Sequence, residues 1–420
     1  MKGSTQKPIL VIGAGIAGIS SAIEAAEAQH DVVLVEQEPT VGGRALRNYH
    51  YFPKLCPPSC GMEINIRRLE RSPYVQIMTS TRITKARWDG KSWHVELTRA
   101  PKYVNEKCTL CGACQKICPA KVPDPFNLGM AQVPAIRLAF LDAWPRRFVL
   151  DRHACPAGCE ECLKVCEYDA IDLDANVKTQ SLEVSAVILA NGWKPYALDK
   201  LPELGGGILS DVIANVNIER MASPTGPTGG KILRPSDGKT PKRVVFIQCA
   251  GSRDVNHLPY CSAVCCMASL KQAIYVREQI PDSEVTIFYI DRRTPGRNED
   301  LLTKVAGMER VELIKGKVGK VEKGPNDDLI LRVENVESGH IINKSADLVV
   351  LATGMVPSLR DEPSAFDVQL DKDGFGLDNP KAKLFVAGVV RRPEDVAASV
   401  RDATGAAAKA LMTPISQRSV

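Results

Sequence analysis

The sequence predicts an α/β chain in which two parallel-sheet units, each opened by a strand, a turn and a helix, are separated by a cysteine-rich insertion. Three observations carry that expectation. A strand, glycine turn, helix and strand stand at the N-terminus in "KPILVIGAGIAGISSAIEAAEAQHDVVLVEQE". Eight cysteines then fall in two tight runs between residues 108 and 166. Finally, "PKRVVFIQCAGSRDVNHLPYCSAVCCMASLKQAIYVREQIPDSEVTIFYIDRR" repeats the order of the first stretch, with thiols where its glycines stood.

In the first stretch the apolar run Ile9 to Ile12 reads as a strand, the small residues after it as a helix, and Val32 to Val35 as a second strand closing at Glu36. Gly13 makes the tight turn, Gly15 lets backbone approach a pyrophosphate, and Gly18 allows the helix to pack closely. The helix N-terminus adds positive potential for the phosphates. Glu36 follows Gly13 by 23 residues, where a carboxylate accepts ribose hydroxyls. A lone GxGxxG is weak evidence, but strand, helix and acid agree here on a dinucleotide site.

"VGGRA" adds a second glycine pair, and Gly42, Gly43 and Arg44 resemble the second diphosphate contact of two-dinucleotide-domain flavoproteins. That favours FAD; the competing reading of Arg44 is a solvated arginine. "SAVILANGW" (185–193) and "ADLVVLATGMVP" (346–357) resemble the strand-and-turn segments of the glutathione-reductase-like superfamily, which brings Ala190 and Gly192 to the FAD site. "KLFVAGVV" (383–390) resembles that superfamily's return to the FAD domain through Gly388. An acid usually follows this glycine to bind the ribityl chain; Val389 stands there instead, leaving Asp395 or a backbone group for the contact.

"CTLCGACQKICP" places Cys108, Cys111, Cys114 and Cys118 before Pro119, the C-x2-C-x2-C-x3-C-P run of bacterial ferredoxins. Cys155, Cys159, Cys162 and Cys166 form a second run with one extra residue in its first gap. Three thiolates of each run hold one [4Fe-4S] cubane and the fourth reaches the other cluster. Cys108, Cys111, Cys114 and Cys166 are expected on one cluster, and Cys155, Cys159, Cys162 and Cys118 on the other. Two zinc sites are the competing reading of paired CxxC knuckles. The 36 residues between the runs include "VPAIRLAFLDAW" (133–144), read as a helix that packs into a core, with a partner-docking face as the alternative.

In the third stretch a strand (244–247), a helix from about 263 to 279 and a strand (285–289) form a second nucleotide-binding pattern without GxGxxG. Where a nicotinamide nucleotide would lay its pyrophosphate stand Cys249, Cys261, Cys265 and Cys266. Four thiolates there would fill the space and repel a diphosphate. Adjacent Cys265 and Cys266 suit neither one zinc ion nor an unstrained disulfide, but reach different irons of a cubane. Buried inert cysteines are the bland alternative. The expected cofactors are therefore FAD and up to three [4Fe-4S] clusters.

"QCAGSRD" and "YCSAVCC" resemble the A subunit of heterodisulfide reductases, whose thioredoxin-reductase-like domain carries a [4Fe-4S] cluster near FAD. "YHYFPKLCPPSCGMEINIRRLE" and "PKYVNEKCTLCGAC" look closer still to the A subunit of the quinone-interacting membrane-bound oxidoreductase complex. The sequence lacks the C-terminal ferredoxin extension of methanogen heterodisulfide reductase A subunits, which favours the second family. The resemblance implies a thioredoxin-reductase-like, two-dinucleotide-binding-domain flavoprotein with an inserted bacterial-type ferredoxin domain. It implies electron exchange between quinone and adenylylsulfate reductase in sulfur metabolism, with two partners, a homologous B subunit plus a quinone-reactive membrane C subunit. Two alternatives stand beside it: a heterodisulfide reductase A-like subunit of a soluble thiol/disulfide complex, in which the flavin would bifurcate electrons, and an NAD(P)H-dependent disulfide reductase. A wire or assembly scaffold is the non-enzymatic reading.

Cys56 and Cys60 in "LCPPSCG" lie roughly where related enzymes carry a redox disulfide, but in a C-x3-C register that begins 12 residues beyond Arg44. A flavin-facing dithiol and a prolyl turn with two packed thiols both remain open. No Ser-His-Asp set, paired carboxylates or histidine metal spacing stands out, so hydrolysis has no support.

The expected organisation is an FAD-binding domain (1–100), the insertion (101–175), a second FAD-domain segment (176–221), a Pro/Gly-rich linker (222–242), the second unit (243–379) and an FAD-domain return (380–420). The 420 residues, 44% hydrophobic and 25% charged, suit a multidomain globule. A net charge of +5 spread along the chain gives no support for nucleic-acid binding. No apolar run approaches the ~20 residues of a membrane span, and MKGSTQKP lacks a signal-peptide core. The expected location is the cytoplasm, at the inner face of the membrane only through partners. There, fourteen cysteines point to clusters and not to disulfides.

Overall fold

The computed structural model describes residues 7–362 and 364–412. The reading of the N-terminal leader and the end of the expected 380–420 segment fall outside these residues.

The first unit is built on a five-stranded parallel sheet in the order Leu384–Val386, Ala186–Leu189, Ile9–Ile12, Val32–Val35, Val75–Met78. Its central strands are short and almost wholly apolar because both faces are covered. Ile9 pairs with Val32 on one side and Ala186 on the other, so three distant pieces of chain share one register. Helix Ile16–Glu27 covers one face beside the C-terminal helix Val396–Leu411. Gly18 is required where the first helix closes on the turn before it: a Cβ there would lie 1.7 Å from the Gly13 carbonyl oxygen. A three-stranded antiparallel sheet, Thr81–Trp88, Trp93–Arg99 and Lys178–Val184, closes the other side, and Trp93 Nε1 donates to the Ala382 carbonyl at 2.7 Å.

The second unit repeats the order of the four inner strands, but its outermost strand comes first in the chain instead of last. Val212–Ala214, Leu348–Thr353, Arg243–Ala250, Glu284–Tyr289 and Val311–Lys323 run parallel. The antiparallel strands Leu329–Asn335 and Ile341–Ala346 extend the sheet as a hairpin. Strands Trp193–Pro195 and Met355–Pro357 pair antiparallel where the chain crosses between the units.

Two boundaries differ from the sequence reading. The second unit starts at Val212, because that three-residue strand joins the second sheet and helix Asn215–Ala222 packs in its core. The Pro/Gly stretch is thus a loop inside the unit, pinned where Asp211 meets Arg234 at 3.2 Å and Ser236 at 2.7 Å. The chain also returns to the first unit soon after Pro357, since Leu359 and Phe366 join its core with Trp93 and Leu384. So short a strand, and a return through irregular chain, leave no periodicity to read.

In the insertion, helices Ala113–Ile117 and Glu161–Lys164 face each other over a small core of Val104, Cys114, Ile136, Phe148, Cys162 and Ile171. The helix expected over 133–144 is absent. Pro134 forces Val133 out of helical backbone, and Gln132–Pro134 and Ile136–Arg137 are strands of two hairpins. Ala135 joins them, donating to Ala120 and accepting from Asp151. The rest of the stretch does pack into a core: Phe140 stacks on Phe126 with centroids 4.3 Å apart, and both lie against the first unit with Trp144. Met130 packs against the second unit. Arg220, 1% exposed, sets its guanidinium 4.7 Å over the Phe126 ring and donates to Asn127 at 2.8 Å. The long link between the cysteine runs is therefore wedged between both units.

Candidate functional site

A cavity of about 590 Å³ opens at the carboxyl ends of the first unit's strands, where parallel sheets bind ligands. Gly13, Gly15, Glu36, Gly43, Arg44, Ala190 and Gly192 line it, as expected from sequence. Gly18, Gly42 and Gly388 do not. Gly18 packs under the turn, Gly42 adopts φ +110° while its N–H donates to the Ala14 carbonyl at 2.7 Å, and Gly388 backs onto Ala17, 2.8 Å from where its Cβ would stand. These three shape the cradle from behind.

The wall chemistry suits FAD. At Gly15 an added Cβ would meet no protein atom and would project into free space. Glu36 is held by the Ala14 N–H at 2.7 Å and the Glu38 N–H at 2.9 Å, and burial raises its pKa above the ordinary value. Arg44 lies 4.7 Å over the Trp193 ring and, among the described residues, forms no ion pair. Burial, with Arg47 nearby, pushes its pKa down to about 9. A half-buried cation without a carboxylate, beside a stripped glycine turn, is a place for a diphosphate.

The second unit completes the cavity in a way the sequence reading missed. Asn215, Glu219, Ala268, Lys271 and Gln272 line its other wall. Lys271 and Glu219, about 3% and 4% exposed, pair at 3.0 Å. Lys271 also donates to the His50 carbonyl at 2.6 Å, and Glu219 accepts from Gln272 at 2.6 Å and from the Tyr49 N–H at 3.0 Å. A buried pair with this many hydrogen bonds fixes a charged surface inside the cavity. One cue was available in sequence, a lysine and a glutamine inside an otherwise apolar helix.

Cys249, Cys261, Cys265 and Cys266 surround a small concavity at the matching turn of the second unit. The strand Arg243–Ala250 slips register after Ile247, and Cys249, Arg253 and Ala263 take φ of +56°, +58° and +61°. Left-handed backbone at three side-chain-bearing residues stores strain of the kind concentrated at binding sites. The Ala263 N–H donates to Cys261 Sγ at 3.4 Å and the Arg293 N–H to Cys266 Sγ at 3.5 Å. Burial raises the Cys249, Cys265 and Cys266 pKa values, and the neighbouring thiols push the same way. Four thiols around one concavity make a donor set that fits an iron–sulfur cluster. In the insertion, Cys114 and Cys162 are buried, Cys111 is exposed, and Cys108, Cys118, Cys155, Cys159 and Cys166 lie between. Burial pushes the Cys114 thiol up to about 12.

Among the described residues, the only three ligand atoms all within 4.8 Å of one another are those of Asp89, His94 and Glu183. No three cysteine sulfurs among the described residues come within 4.8 Å of one another, whereas tetrahedral zinc with ~2.3 Å bonds would hold its sulfurs ~3.8 Å apart. Helix Cys265–Gln279 ties the thiol site to the cavity: Val264 and Ala268 line the cavity while Cys265 and Cys266 line the thiol site. Cys56 and Cys60 are both exposed and neither lines the cavity, so the structure supports neither a flavin-facing dithiol nor packed thiols.

Comparison with known proteins agrees with these sites. Residues 11–67 match the family described as an NAD(P)-binding Rossmann-like domain, and residues 107–171 match a 4Fe-4S dicluster domain. Thioredoxin reductase of Lactococcus lactis superposes with a TM-score of 0.52 at 13% identity, covering 96% of this chain and 98% of that one. Bacillithiol disulfide reductase of Bacillus cereus gives 0.53 at 11% identity, covering 97% and 99%. The fold is thus thioredoxin-reductase-like with an inserted dicluster ferredoxin domain, an architecture with places for FAD and [4Fe-4S] clusters.

The relatives found are A-type iron–sulfur subunits of heterodisulfide reductases. One of the two from the CoB–CoM heterodisulfide reductases of Methanopyrus kandleri is 35% identical over 418 residues, covering 96% of this chain and 63% of the relative. Its Methanocaldococcus jannaschii counterpart is 36% identical, covering 98% and 64%. The corresponding component of the H2:CoB–CoM heterodisulfide, ferredoxin reductase of Methanothermobacter marburgensis is 33% identical, covering 97% and 64%. This chain spans slightly less than two thirds of their length. Among the described residues, no helix is long and apolar enough to cross a membrane.

Proposed function

We propose that the chain is the flavin-bearing electron-transfer subunit of a heterodisulfide-reductase-like complex. The observation that carries this reading is the shared first turn of helix Cys265–Gln279, which puts a four-thiol site and the flavin cavity on one rigid element. When bound, FAD supplies exchange between paired and single electrons, and [4Fe-4S] clusters supply single-electron transfer.

The chain's own residues provide position and charge. Gly13, Gly15 and Gly43 admit the diphosphate, Arg44 balances it, and Glu36 accepts the adenosine ribose hydroxyls. Lys271, held by Glu219 and the His50 carbonyl, sets an ammonium group in the cavity wall, where it would offset negative charge on a bound flavin. Cys249, Cys261, Cys265 and Cys266 hold one cluster. Cys108, Cys111, Cys114 and Cys166 hold a second, and Cys155, Cys159, Cys162 and Cys118 a third. Residues 7–211 and 358–412, less the insertion, form the FAD domain, and 212–357 the thiol-bearing domain.

The relatives weigh toward a thiol/disulfide complex, with flavin bifurcation open to test. The alternative, exchange between a membrane quinone and adenylylsulfate reductase through B and C subunits at the inner face of the membrane, is favoured by one observation, the stretch "FPKLCPPSCGMEINIRRLE". Replacement of the second glycine turn by thiols weighs against NAD(P)H as the reductant. Anaerobically purified protein should contain about twelve irons per FAD, and its flavin should not bleach with NADH or NADPH. Once reduced by dithionite, it should pass electrons to a heterodisulfide-reducing partner faster than to a quinone analogue. Bleaching by NADPH without partners, or an iron content near zero, would overturn the reading.

A further inference from the structure

Glu394 lies in the turn before helix Val396–Leu411 and faces the flavin cavity. It is 6% exposed, yet neither carboxyl oxygen accepts a hydrogen bond among the described residues. The nearest cation is Nε of the largely exposed Arg392, 3.5 Å from Oε2. Ser399, one helical turn further on, lines the same wall.

Three acids close to it in the chain have partners of their own. Asp395 caps the helix by accepting the Ala398 N–H at 2.7 Å. Asp402 accepts the Gly388 N–H at 2.8 Å and pairs with Arg391 at 3.1 Å. Asp378 pairs with Arg391 and Lys409, each at 2.8 Å. Asp395, which the sequence offered in place of Val389, lines the same cavity but gives one carboxylate oxygen to the helix backbone. A buried carboxyl on a cavity wall, with Ser399 and Arg392 close by but no well-formed hydrogen bond to either oxygen, is costly unless a donor arrives with the ligand. Phosphates cannot be that donor, since they too are negative acceptors; hydroxyls can.

We propose that Glu394 is a flavin-binding residue of this chain, its carboxyl taking hydrogen bonds from hydroxyls of the ribityl chain that joins the ring to the diphosphate. Burial raises the Glu394 pKa and the charge of Asp402 adds to the rise, consistent with a group that gains its partners only on binding. The assignment rests on the reading that the cavity holds FAD.

The test uses full-length protein, stripped of flavin anaerobically with clusters retained, as wild type, Glu394→Ala and Glu394→Gln. Each is titrated with FAD and with FAD analogues lacking one ribityl hydroxyl. Glu394→Ala should weaken FAD binding about 10- to 100-fold, with Glu394→Gln between it and wild type. One deoxy analogue should lose a similar factor on wild type but bind Glu394→Ala as well as FAD does. The flavin-free Glu394→Ala protein should melt no lower than flavin-free wild type, having shed an unsatisfied carboxyl. FAD affinity within twofold of wild type in Glu394→Ala, or analogue penalties equal in both proteins, overturns the assignment alone. Wild type that takes no FAD overturns the cavity reading and the assignment with it.

Discussion

The turns that open the two parallel sheets share a position and differ in everything that meets a ligand. At Gly13–Gly18 side chains are removed: Gly15 faces open space, Gly18 lets the helix close on the strand, and Arg44 waits without a carboxylate. At Cys249–Cys266 side chains are added: four thiols converge, and residues bearing a Cβ are bent into left-handed backbone to bring them there. Topology sets where something binds, at the carboxyl edge of a parallel sheet. The residues of the turn set what binds.

The largest break in this contrast comes from the thiol side. Cys265→Ser should remove about four irons and four sulfides per chain, roughly a third of the expected total, while the FAD content stays near one. Iron and acid-labile sulfide analysis reads it, and unchanged iron would mean that the second turn holds no cluster.

On the glycine side, Gly15→Ala and Gly18→Ala should part company. At Gly18 the new Cβ meets backbone at 1.7 Å, so the protein itself should lose several kcal/mol of stability and melt lower. At Gly15 it meets nothing, so flavin-free protein should melt normally while FAD affinity drops about 10- to 100-fold. Melting curves and flavin titration separate them.

Lys271→Met removes the buried cation from the wall that the second unit lends to the first. The flavin's two-electron potential should fall by about 30–60 mV, or ~1.4–2.8 kcal/mol, because reduced, anionic flavin loses its counter-charge. Spectroelectrochemical titration measures the shift, and an unchanged potential would place the flavin ring elsewhere. The smallest effect is one of pH. Glu36 has a raised pKa in the flavin-free protein, and its ionised form accepts the ribose hydroxyls. FAD affinity should therefore be full at neutral pH and begin to fall on acidification while the pH is still above 4.5. Glu36→Gln should flatten that limb in a fluorescence titration.

What could be read in sequence was whatever is local. Gly13, Gly15 and Glu36 lie within one strand–helix–strand unit, and the cysteines of the insertion carry their meaning in their spacing. The four thiols of the second turn were legible because they interrupt a pattern already recognised. Lys271, Glu219 and Glu394 were not, since their roles arise where chain segments over a hundred residues from the glycine turn fold against one cavity. The stretch at 133–144 misled for a related reason. Its apolar residues do seek a core, but Pro134 and the partners of Ala135 decide that they do so as strands and turns.

The cavity wall is drawn from both units, with glycines from one and the Lys271 helix from the other. A single bound flavin then acts as a bolt through two halves, and neither half can unfold without releasing it. By mass action the loaded protein should melt as one cooperative body. Stripped of flavin, the halves keep the crossing strands, the wedge of the insertion and the bonds of Lys271 and Glu219 to the backbone of His50 and Tyr49, and the less stable of them becomes freer to melt first.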